Sequence, residues 1–405
     1  MNKIKISKFL LDTGERYCII IDKENGIPLY YPNLFLTTQL RNRGYSISTV
    51  ESKAVNLSLF YRFLKHKNID IETYISSGKY LSRNDIENLI NFLSKSSGLK
   101  KHNFNNHLYL SKKTLCHRLD SIVIYLSWLA EELLQLNSSG YKDKLARTIK
   151  YIKELKPRYR SKKSEEHNED KALSDNIVDL IMETIDCQSP INPFEPFIRR
   201  RNEMIIIILF ELGIRCGELL NIKIEDIDFQ KKRLSIIRRA DEKNDPRINQ
   251  PLVKTLDRVL PISDGLVMKL WSFIIYDRKP FAKGKTDFLF ITYKSGPSQG
   301  KPLTISGYHK IISKIRDSNP LLKDLKGHRF RHTWNYNFSR FLDSLPEKVN
   351  ENHQIQMREE LMGWKEGSGT ASIYNKRFVK EQSDEAFIRL QEKLNSKKGM
   401  KNNDK

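Results

Sequence analysis

The sequence predicts a mainly α-helical protein with a small antiparallel β-sheet, in which an all-helical domain precedes a mixed α+β domain. Apolar residues recur at helical spacing throughout residues 46–155. Residues 156–171 ("KPRYRSKKSEEHNEDK") are almost without apolar side chains and open with a proline, as is typical of a linker. Most strand-like segments follow between residues 232 and 292, before the helical pattern returns at about residue 304.

These boundaries divide the 405 residues into five segments. They are an N-terminal extension with a β-hairpin (1–45), a helical domain (46–155), a linker (156–173), a mixed domain (174–380), and a C-terminal helix with a basic tail (381–405). In the extension, "RYCIIIDKENGIPLYYP" predicts two short strands around a turn at Asn25 and Gly26.

Four helices are expected in the helical domain. Ser48 and Glu51 form a capping-box signature before the first helix, and Ser82 precedes the second. The apolar periodicity of residues 111–136 and 141–155 predicts the third and fourth helices.

The mixed domain begins with a helix that Ser174 caps. A buried helix is expected in "RNEMIIIILFELGI" (201–214), followed by a second in "RCGELLNIKIEDIDF" (215–229). Three short strands are expected in "KRLSIIRRA", "DRVLPIS" and "DFLFIT".

The chain is strongly basic. It has 71 Lys and Arg against 49 Asp and Glu, a formal net charge of +22. Such an excess costs self-repulsion, so a polyanionic partner is expected, with nucleic acid as the first candidate and a generally solvated basic surface as the alternative.

We expect a cytoplasmic protein with no membrane segment and no signal peptide. The most apolar run, residues 204–214, contains Glu211 and is far too short to span a bilayer. The N-terminus lacks a long apolar core and a cleavage site of small residues. The four cysteines are scattered without a CxxC pair, which fits reduced thiols and argues against a zinc site built on cysteine.

The stretch "LKGHRFRHTW" (325–334) concentrates positive charge and proton-transfer capacity. His328 and His332 are spaced as metal ligands on one helical face, but the zinc motif needs an acid where this sequence has arginine. The favoured interpretation is a phosphate site. In it Arg331 binds non-bridging phosphate oxygens, and His328 lies one helical turn earlier as a proton acceptor or donor.

A second arginine is available in "ELGIRCGELL" (211–220). Arg215 follows directly after an apolar helix that ends near Gly213, so its guanidinium must find an anion or reach solvent. Glu218, three residues later, can orient Arg215, and a plain helical ion pair is the alternative interpretation.

Three segments in order resemble the motifs of the tyrosine site-specific recombinases, or phage integrase family. They are "ELGIRCGELLNIKIEDID", "HRFRHTW" and "LMGWKEGSGTASIY". The resemblance covers roughly residues 174–394. The helical domain 46–155 matches the family's core-binding domain only in pattern and placement, and residues 1–45 find no secure counterpart.

The resemblance implies that Arg215 and Arg331 clamp the scissile phosphate and that His328 transfers protons and contacts the phosphate. It places Glu218 as the residue that helps to hold Arg215. His332 is expected to pack or bond locally.

The third motif implies that Tyr374 is the nucleophile, and it is the only tyrosine after Tyr336. Trp364 is the catalytic residue at the position where most members have histidine and some have tryptophan, as the resemblance implies. Its indole N–H can donate to a phosphate oxygen but cannot shuttle a proton. The interval from Trp364 to Tyr374 is ten residues, where nine is more usual.

The family also has a lysine in a β-hairpin turn as the general acid for the departing 5′ oxygen. The segment "VKTLDRVLPIS" makes Lys254 our choice, and Lys243 in "ADEKND" is the alternative because the connection between the strands is long.

The function implied is a site-specific DNA recombinase, or integrase, of a mobile element. It would act through a 3′-phosphotyrosine without cofactor, metal or ATP. Alternatives are a chromosome-dimer resolvase, a transposase, or a basic DNA-binding protein without cleavage activity. The expected partner is double-stranded DNA. The chain is expected to be a monomer in free solution and a homotetramer on DNA, with accessory DNA-bending proteins as a further possible partner.

The C-terminal segment has its own prediction. Ser383 can cap a short helix in which Phe387, Leu390 and Leu394 share a face. The helix either packs on its own domain or, as the resemblance implies, docks on a neighbouring protomer.

Overall fold

The computed structural model describes most of the chain. The described residues are 4–95, 109–134, 139–158, 172–284, 286–347, 349–367, 369, 371 and 383–394. They divide into two compact units, residues 1–163 and 164–405. Most of the predicted linker, the basic tail and Tyr374 lie outside the described residues.

The first unit opens with an antiparallel hairpin of β1 (Ile4–Leu10) and β2 (Arg16–Asp22). The sequence prediction paired the second of these strands with the residues after Asn25 and Gly26, and this pairing is wrong. That turn leads only to an isolated bridge between Ile21 and Pro28. Strand β1 pairs with β2 instead, because it supplies seven residues in register with β2. The downstream segment contains Pro28, which has no N–H to donate to the strand pairing.

Six α-helices follow in the described part of this unit. They are α1 (Tyr30–Phe35), α2 (Ile47–Lys67), α3 (Ile71–Ser76), α4 (Arg83–Ser94), α5 (Lys112–Leu133) and α6 (Ser139–Glu154). Helix α2 begins after Ser46, two residues before the predicted cap at Ser48. The predicted cap at Ser82 is confirmed, and it forms a capping box with Asp85.

The N-terminal hairpin packs on the helices rather than forming a separate unit. The Arg62 guanidinium on α2 donates to the carbonyl of Ile4 at 2.8 Å, and Lys65 pairs with Asp22 at 2.6 Å. Buried Phe35 makes an edge-to-face contact with Tyr125 of α5. These contacts make residues 4–41 part of the first unit's core.

The second unit is also mainly helical. Its described helices include α7 (Asp175–Ile185), α8 (Pro196–Leu212), α9 (Cys216–Leu219), α10 (Asp264–Ser272), α11 (Lys279–Ala282), α12 (Ile305–Arg316), α13 (Gly327–Asp343) and α14 (Glu351–Met362). A three-stranded antiparallel sheet joins β3 (Ile227–Asp228), β4 (Arg233–Ile236) and β5 (Arg258–Pro261) in that order. A further helix spans residues 383–394, and we call it the C-terminal helix.

Three predictions in this unit need correction. The segment 215–229 was expected to be a helix, but only Cys216–Leu219 is α-helical, because Ile227–Asp228 pairs with β4 as strand β3. Helix α8 starts at Pro196 rather than residue 201, because proline at the first helical position has the required φ and no N–H to satisfy. The segment 287–292 was expected to be a strand, but it forms only isolated bridges of Phe288 with Lys223 and of Ile291 with Pro302.

The core of the second unit surrounds α8, whose Ile205, Ile206, Ile208 and Leu209 are all fully buried. Helix α13 packs against α8, and Arg331 near the start of α13 donates to the carbonyl of Gly213 at the end of α8. Within the described residues, no helix is both long and apolar enough to cross a membrane.

Candidate active site

Arg215 lies at the junction between α8 and α9. Helix α8 ends at Gly213, which adopts the left-handed conformation, and the chain then runs extended through Arg215 into α9. The Arg215 backbone N–H donates to Glu218 Oε2 at 3.1 Å, and its Nη1 donates to Oε1 at 3.3 Å. The Arg215 side chain is 28% exposed whereas that of Glu218 is fully buried. Glu218 therefore fixes an arginine that still reaches the surface.

The loop before β5 crosses directly over α9. A Cβ on Gly217 would lie 2.4 Å from the carbonyl oxygen of Leu252, so only glycine permits this approach. The Thr255 hydroxyl then donates to Glu218 Oε1 at 2.9 Å. Lys254 is exposed between the buried residues Val253 and Thr255. The segment 252–257, which we call the lysine loop because it carries Lys254, therefore lies against the Glu218 carboxylate.

The alternative lysine, Lys243, is exposed in an earlier part of the same connection. This part of the loop is held through Gln250, which accepts from the Asp241 N–H at 3.0 Å and donates to the carbonyl of Arg239 at 2.9 Å. Arg239 in turn pairs with Asp226, away from the Glu218 carboxylate.

Helix α13 carries Arg331 into the same place. Its side chain is 1% exposed, and its terminal nitrogens donate to the carbonyls of Gly213 at 3.0 Å and Met362 at 3.1 Å. Nη1 also lies 3.9 Å from Glu218 Oε2. Arg331 therefore joins the end of α8 to the end of α14.

His328 lies in the first turn of α13. Burial away from water lowers the pKa of His328 below its usual value, and the positive charges of Arg331 and Arg215 lower it further. The imidazole is therefore neutral at neutral pH and can accept a proton. Its ring meets that of His332 edge to face at 4.7 Å, a local contact of the kind expected for His332.

Trp364 follows the C-terminus of α14, and its ring lies against the Arg331 guanidinium at 5.1 Å. The side chain is 7% exposed and belongs to a small apolar cluster with Met362 and Ala371. Ala371 is fully buried and lies three residues before Tyr374. Tyr374 itself lies outside the described residues.

Arg258 is a member of this cluster that the sequence analysis missed. Its Nη2 donates to Glu218 Oε2 at 2.8 Å, Nη1 to Thr255 Oγ1 at 3.0 Å, and Nε to the carbonyl of Leu361 at 2.7 Å. The strand pattern contained the signal. Arg258 and Leu260 in β5 and Ile262 just after it alternate along the chain, so an arginine shares the core-facing side with two buried aliphatic residues.

Glu218 is thus one buried carboxylate shared by three arginines. Burial alone would raise its pKa, but the charges of Arg258 and Arg331 and the hydrogen bonds from Arg258 and Arg215 lower it below the usual value. Glu218 therefore stays ionised. Three positive charges around one negative charge leave the cluster net positive.

The lysine loop also contacts the end of α14. Gly363 has a positive φ, and its carbonyl accepts from the Leu256 N–H at 2.9 Å. A Cβ at Gly363 would lie 2.7 Å from the Leu256 carbonyl oxygen and 2.8 Å from Arg258 Nη1. The loop, β5 and the segment leading to Trp364 are therefore packed into one arrangement.

This arrangement suits binding and reaction of a phosphodiester. Guanidinium groups stabilise the charge that accumulates on phosphate oxygens, and an exposed lysine beside them can protonate a leaving oxygen. Among the described residues, no group of three or more His, Cys, Asp or Glu side chains is placed to hold a metal ion.

The chain is similar in sequence to known proteins. Residues 171–381 match the phage integrase family. Transposase A from transposon Tn554 of Staphylococcus aureus is 22% identical over 334 residues, which cover 78% of this chain and 81% of the transposase. Tyrosine recombinase XerC of Oceanobacillus iheyensis is 24% identical over 222 residues, covering 54% of this chain and 63% of that protein.

Among solved structures, the Tn1549 transposon integrase in complex with circular intermediate DNA has 16% identity and a TM-score of 0.49. The alignment covers 84% of this chain and 94% of the solved chain, which is residues 82–397 of that integrase. The family match spans more than half of the chain and contains every residue of the cluster described above. This protein belongs to the phage integrase family, the tyrosine recombinases, whose members cut and rejoin DNA.

Proposed function

We propose that this protein cuts and rejoins duplex DNA through a covalent 3′-phosphotyrosine on Tyr374. The Tyr374 hydroxyl attacks the phosphorus, the bond to the 5′ oxygen breaks, and Lys254 protonates that leaving oxygen. The 5′ hydroxyl of another strand then attacks the phosphotyrosine and releases the tyrosine. The observation that carries the proposal is the convergence of Arg215, Arg331 and His328 with the Lys254 loop around Glu218.

Each side chain has a distinct part in this reaction. Arg215 and Arg331 neutralise the negative charge that builds up on the phosphate oxygens in the transition state. His328 contacts the phosphate and, being neutral, takes the proton from the attacking Tyr374. Trp364 packs against Arg331 and so keeps its guanidinium in place. No step uses a metal, a cofactor or ATP.

We further propose that the DNA belongs to a mobile element. The support is the similarity to Transposase A from transposon Tn554 along most of both chains. A net charge of +22 supports a duplex DNA partner, because neutralising phosphates relieves the repulsion between basic side chains. The reaction needs two DNA sites, so we expect a tetramer assembled on DNA from chains that are monomeric in solution.

The proposal is tested by trapping the covalent intermediate. A binding site would be selected from random-sequence duplexes and nicked at successive positions, so that the released fragment diffuses away and religation fails. We expect a protein–DNA adduct through the 3′ end that forms equally well in EDTA. Tight binding without an adduct at any nick position would favour a non-catalytic DNA-binding protein, and a strict need for Mg²⁺ or Zn²⁺ would contradict the mechanism.

The general acid is identified with a substrate whose leaving group needs no proton. A 5′-bridging phosphorothiolate expels a thiolate that needs no protonation, so it should restore cleavage to Lys254→Ala but not to Arg331→Ala. Lys243→Ala is the matched control, since Lys243 is exposed in the same connection, and it should cleave the ordinary substrate normally. Rescue of Lys243→Ala instead would move the acid to that residue. The measurement is the single-turnover rate on both substrates.

The C-terminal helix supplies the test of assembly. Phe387, Ile388, Leu390 and Leu394 are each more than half exposed, so this helix presents apolar surface. We propose that it docks on a neighbouring protomer. A chain truncated after residue 380 should bind one half-site normally but lose cooperative binding to two half-sites and lose strand exchange. Gel-shift titration and a recombination assay measure both, and full recombination by the truncated chain would show that the helix acts locally.

A further inference from the structure

Arg258 on β5 is a buried arginine, with a side chain that is 5% exposed. Burying a guanidinium lowers stability unless its charge is paired and its N–H groups have hydrogen-bond acceptors. Its three nitrogens reach three different partners: a carboxylate, a hydroxyl and a backbone carbonyl. These partners come from α9, from the lysine loop and from the end of α14. One side chain therefore connects α9, the loop that carries Lys254, and the end of α14 that precedes Trp364.

The carboxylate of Glu218 shows how Arg258 acts at a distance. Oε1 accepts from Arg215 Nη1 and Thr255 Oγ1, while Oε2 accepts from the Arg215 N–H and Arg258 Nη2. Oε2 also lies 3.9 Å from Arg331 Nη1. Without Arg258, Oε2 would lose its shortest side-chain donor, while Arg215 Nη1 bonds Oε1 at 3.3 Å and Arg331 Nη1 lies 3.9 Å from Oε2. Glu218 would then draw Arg331 towards itself and away from a phosphate.

We propose that Arg258 is a positioning residue for strand cleavage, which fixes the Glu218 carboxylate and thereby keeps Arg215 and Arg331 available to the scissile phosphate. The inference rests on the proposed function and adds a third arginine to its site. Arg258 does not touch DNA in this account, because its guanidinium is enclosed by protein. Its loss should therefore affect the rate of cleavage and not the affinity for DNA.

The test compares Arg258→Ala and Arg258→Lys with Arg247→Ala. Arg247 is a matched control because it too is buried, pairs with the buried carboxylate of Asp245, and donates to two carbonyls, those of Leu220 and Leu303. Both alanine variants should melt at a lower temperature. Below that temperature, Arg258→Ala should cleave on the order of 10²-fold more slowly, the scale for misplacing a catalytic group, whereas Arg247→Ala should keep the wild-type rate.

Arg258→Lys should recover part of the rate, since an ammonium can pair with Glu218 but cannot also bond Thr255 and Leu361. If Arg258→Ala fails to fold, the cleavage rate of Arg258→Lys still tests the inference. DNA affinity should change less than about threefold in every variant, because the phosphate contacts that dominate affinity are untouched.

A double-mutant cycle identifies the route of the effect. If Arg258 works through Glu218, then Arg258→Ala should cost little more in a Glu218→Gln background. Full additivity, or an Arg258→Ala chain that cleaves as fast as Arg247→Ala, would overturn the inference while leaving the proposed function standing. A wild-type chain that forms no covalent adduct would overturn both.

Discussion

Tyr374→Phe is expected to abolish the covalent protein–DNA adduct completely. The substitution removes one oxygen atom, and that oxygen is the attacking atom, so no slower version of the same reaction remains. The phosphate-binding arginines are untouched, and DNA binding should persist at close to the wild-type affinity. The measurement is adduct formation on a nicked duplex, resolved from free protein on a denaturing gel, together with a binding titration.

Tyr336→Phe is the matched control for this variant. Tyr336 is the preceding tyrosine in the chain and lies on α13, where its ring contacts Arg340. It should form the adduct at the wild-type rate. An adduct that survives in Tyr374→Phe would remove Tyr374 from the mechanism, and loss of the adduct in Tyr336→Phe would point to the other tyrosine.

Arg331→Ala is expected to lower strand cleavage by on the order of 10² to 10³-fold, the range for removing one transition-state donor. In the proposed mechanism Arg331 supplies charge to the phosphate, and in the structure it contacts Gly213, Met362 and Trp364. Affinity for DNA should fall much less, because many other phosphate contacts remain. Single-turnover cleavage at saturating protein separates the two effects.

The control has to account for the burial of Arg331, since any buried arginine replaced by alanine destabilises the fold. Arg358 on α14 is equally enclosed, donates to Asn335 and Ser339, and packs on the ring of Phe338. Arg358→Ala should therefore lower the melting temperature comparably yet retain cleavage while folded. Equal losses of cleavage in both variants would mean that Arg331 acts only through stability.

The sequence predicted those parts of the site that depend on local spacing. His328 and Arg331 are three residues apart on α13, and Arg215 and Glu218 have the same spacing at the start of α9. Contacts at this separation follow from the geometry of a helix and of its N-cap. The ion pair of Arg215 with Glu218 accordingly exists as the sequence suggested.

Contacts between distant segments could not be predicted in the same way. Thr255 and Arg258 are 37 and 40 residues from Glu218 in the sequence, and the residues next to them do not indicate that Glu218 is their partner. The same holds for strand pairing at the N-terminus, where a recognisable turn at Asn25 and Gly26 suggested one partner and a longer strand upstream supplied another. In both cases the burial of whole segments decides the outcome.

The central claim is that Tyr374 becomes bonded to DNA, and the most direct test is to locate the modified residue. Trypsin cleaves after Lys365 and Lys376, so Tyr374 lies in the peptide 366–376, where it is the sole tyrosine. After nuclease trimming of the trapped complex, mass spectrometry should find this peptide carrying a nucleotide through a 3′ phosphate on Tyr374. A nucleotide bound to any other residue, or an unmodified 366–376 peptide from purified adduct, would contradict the account.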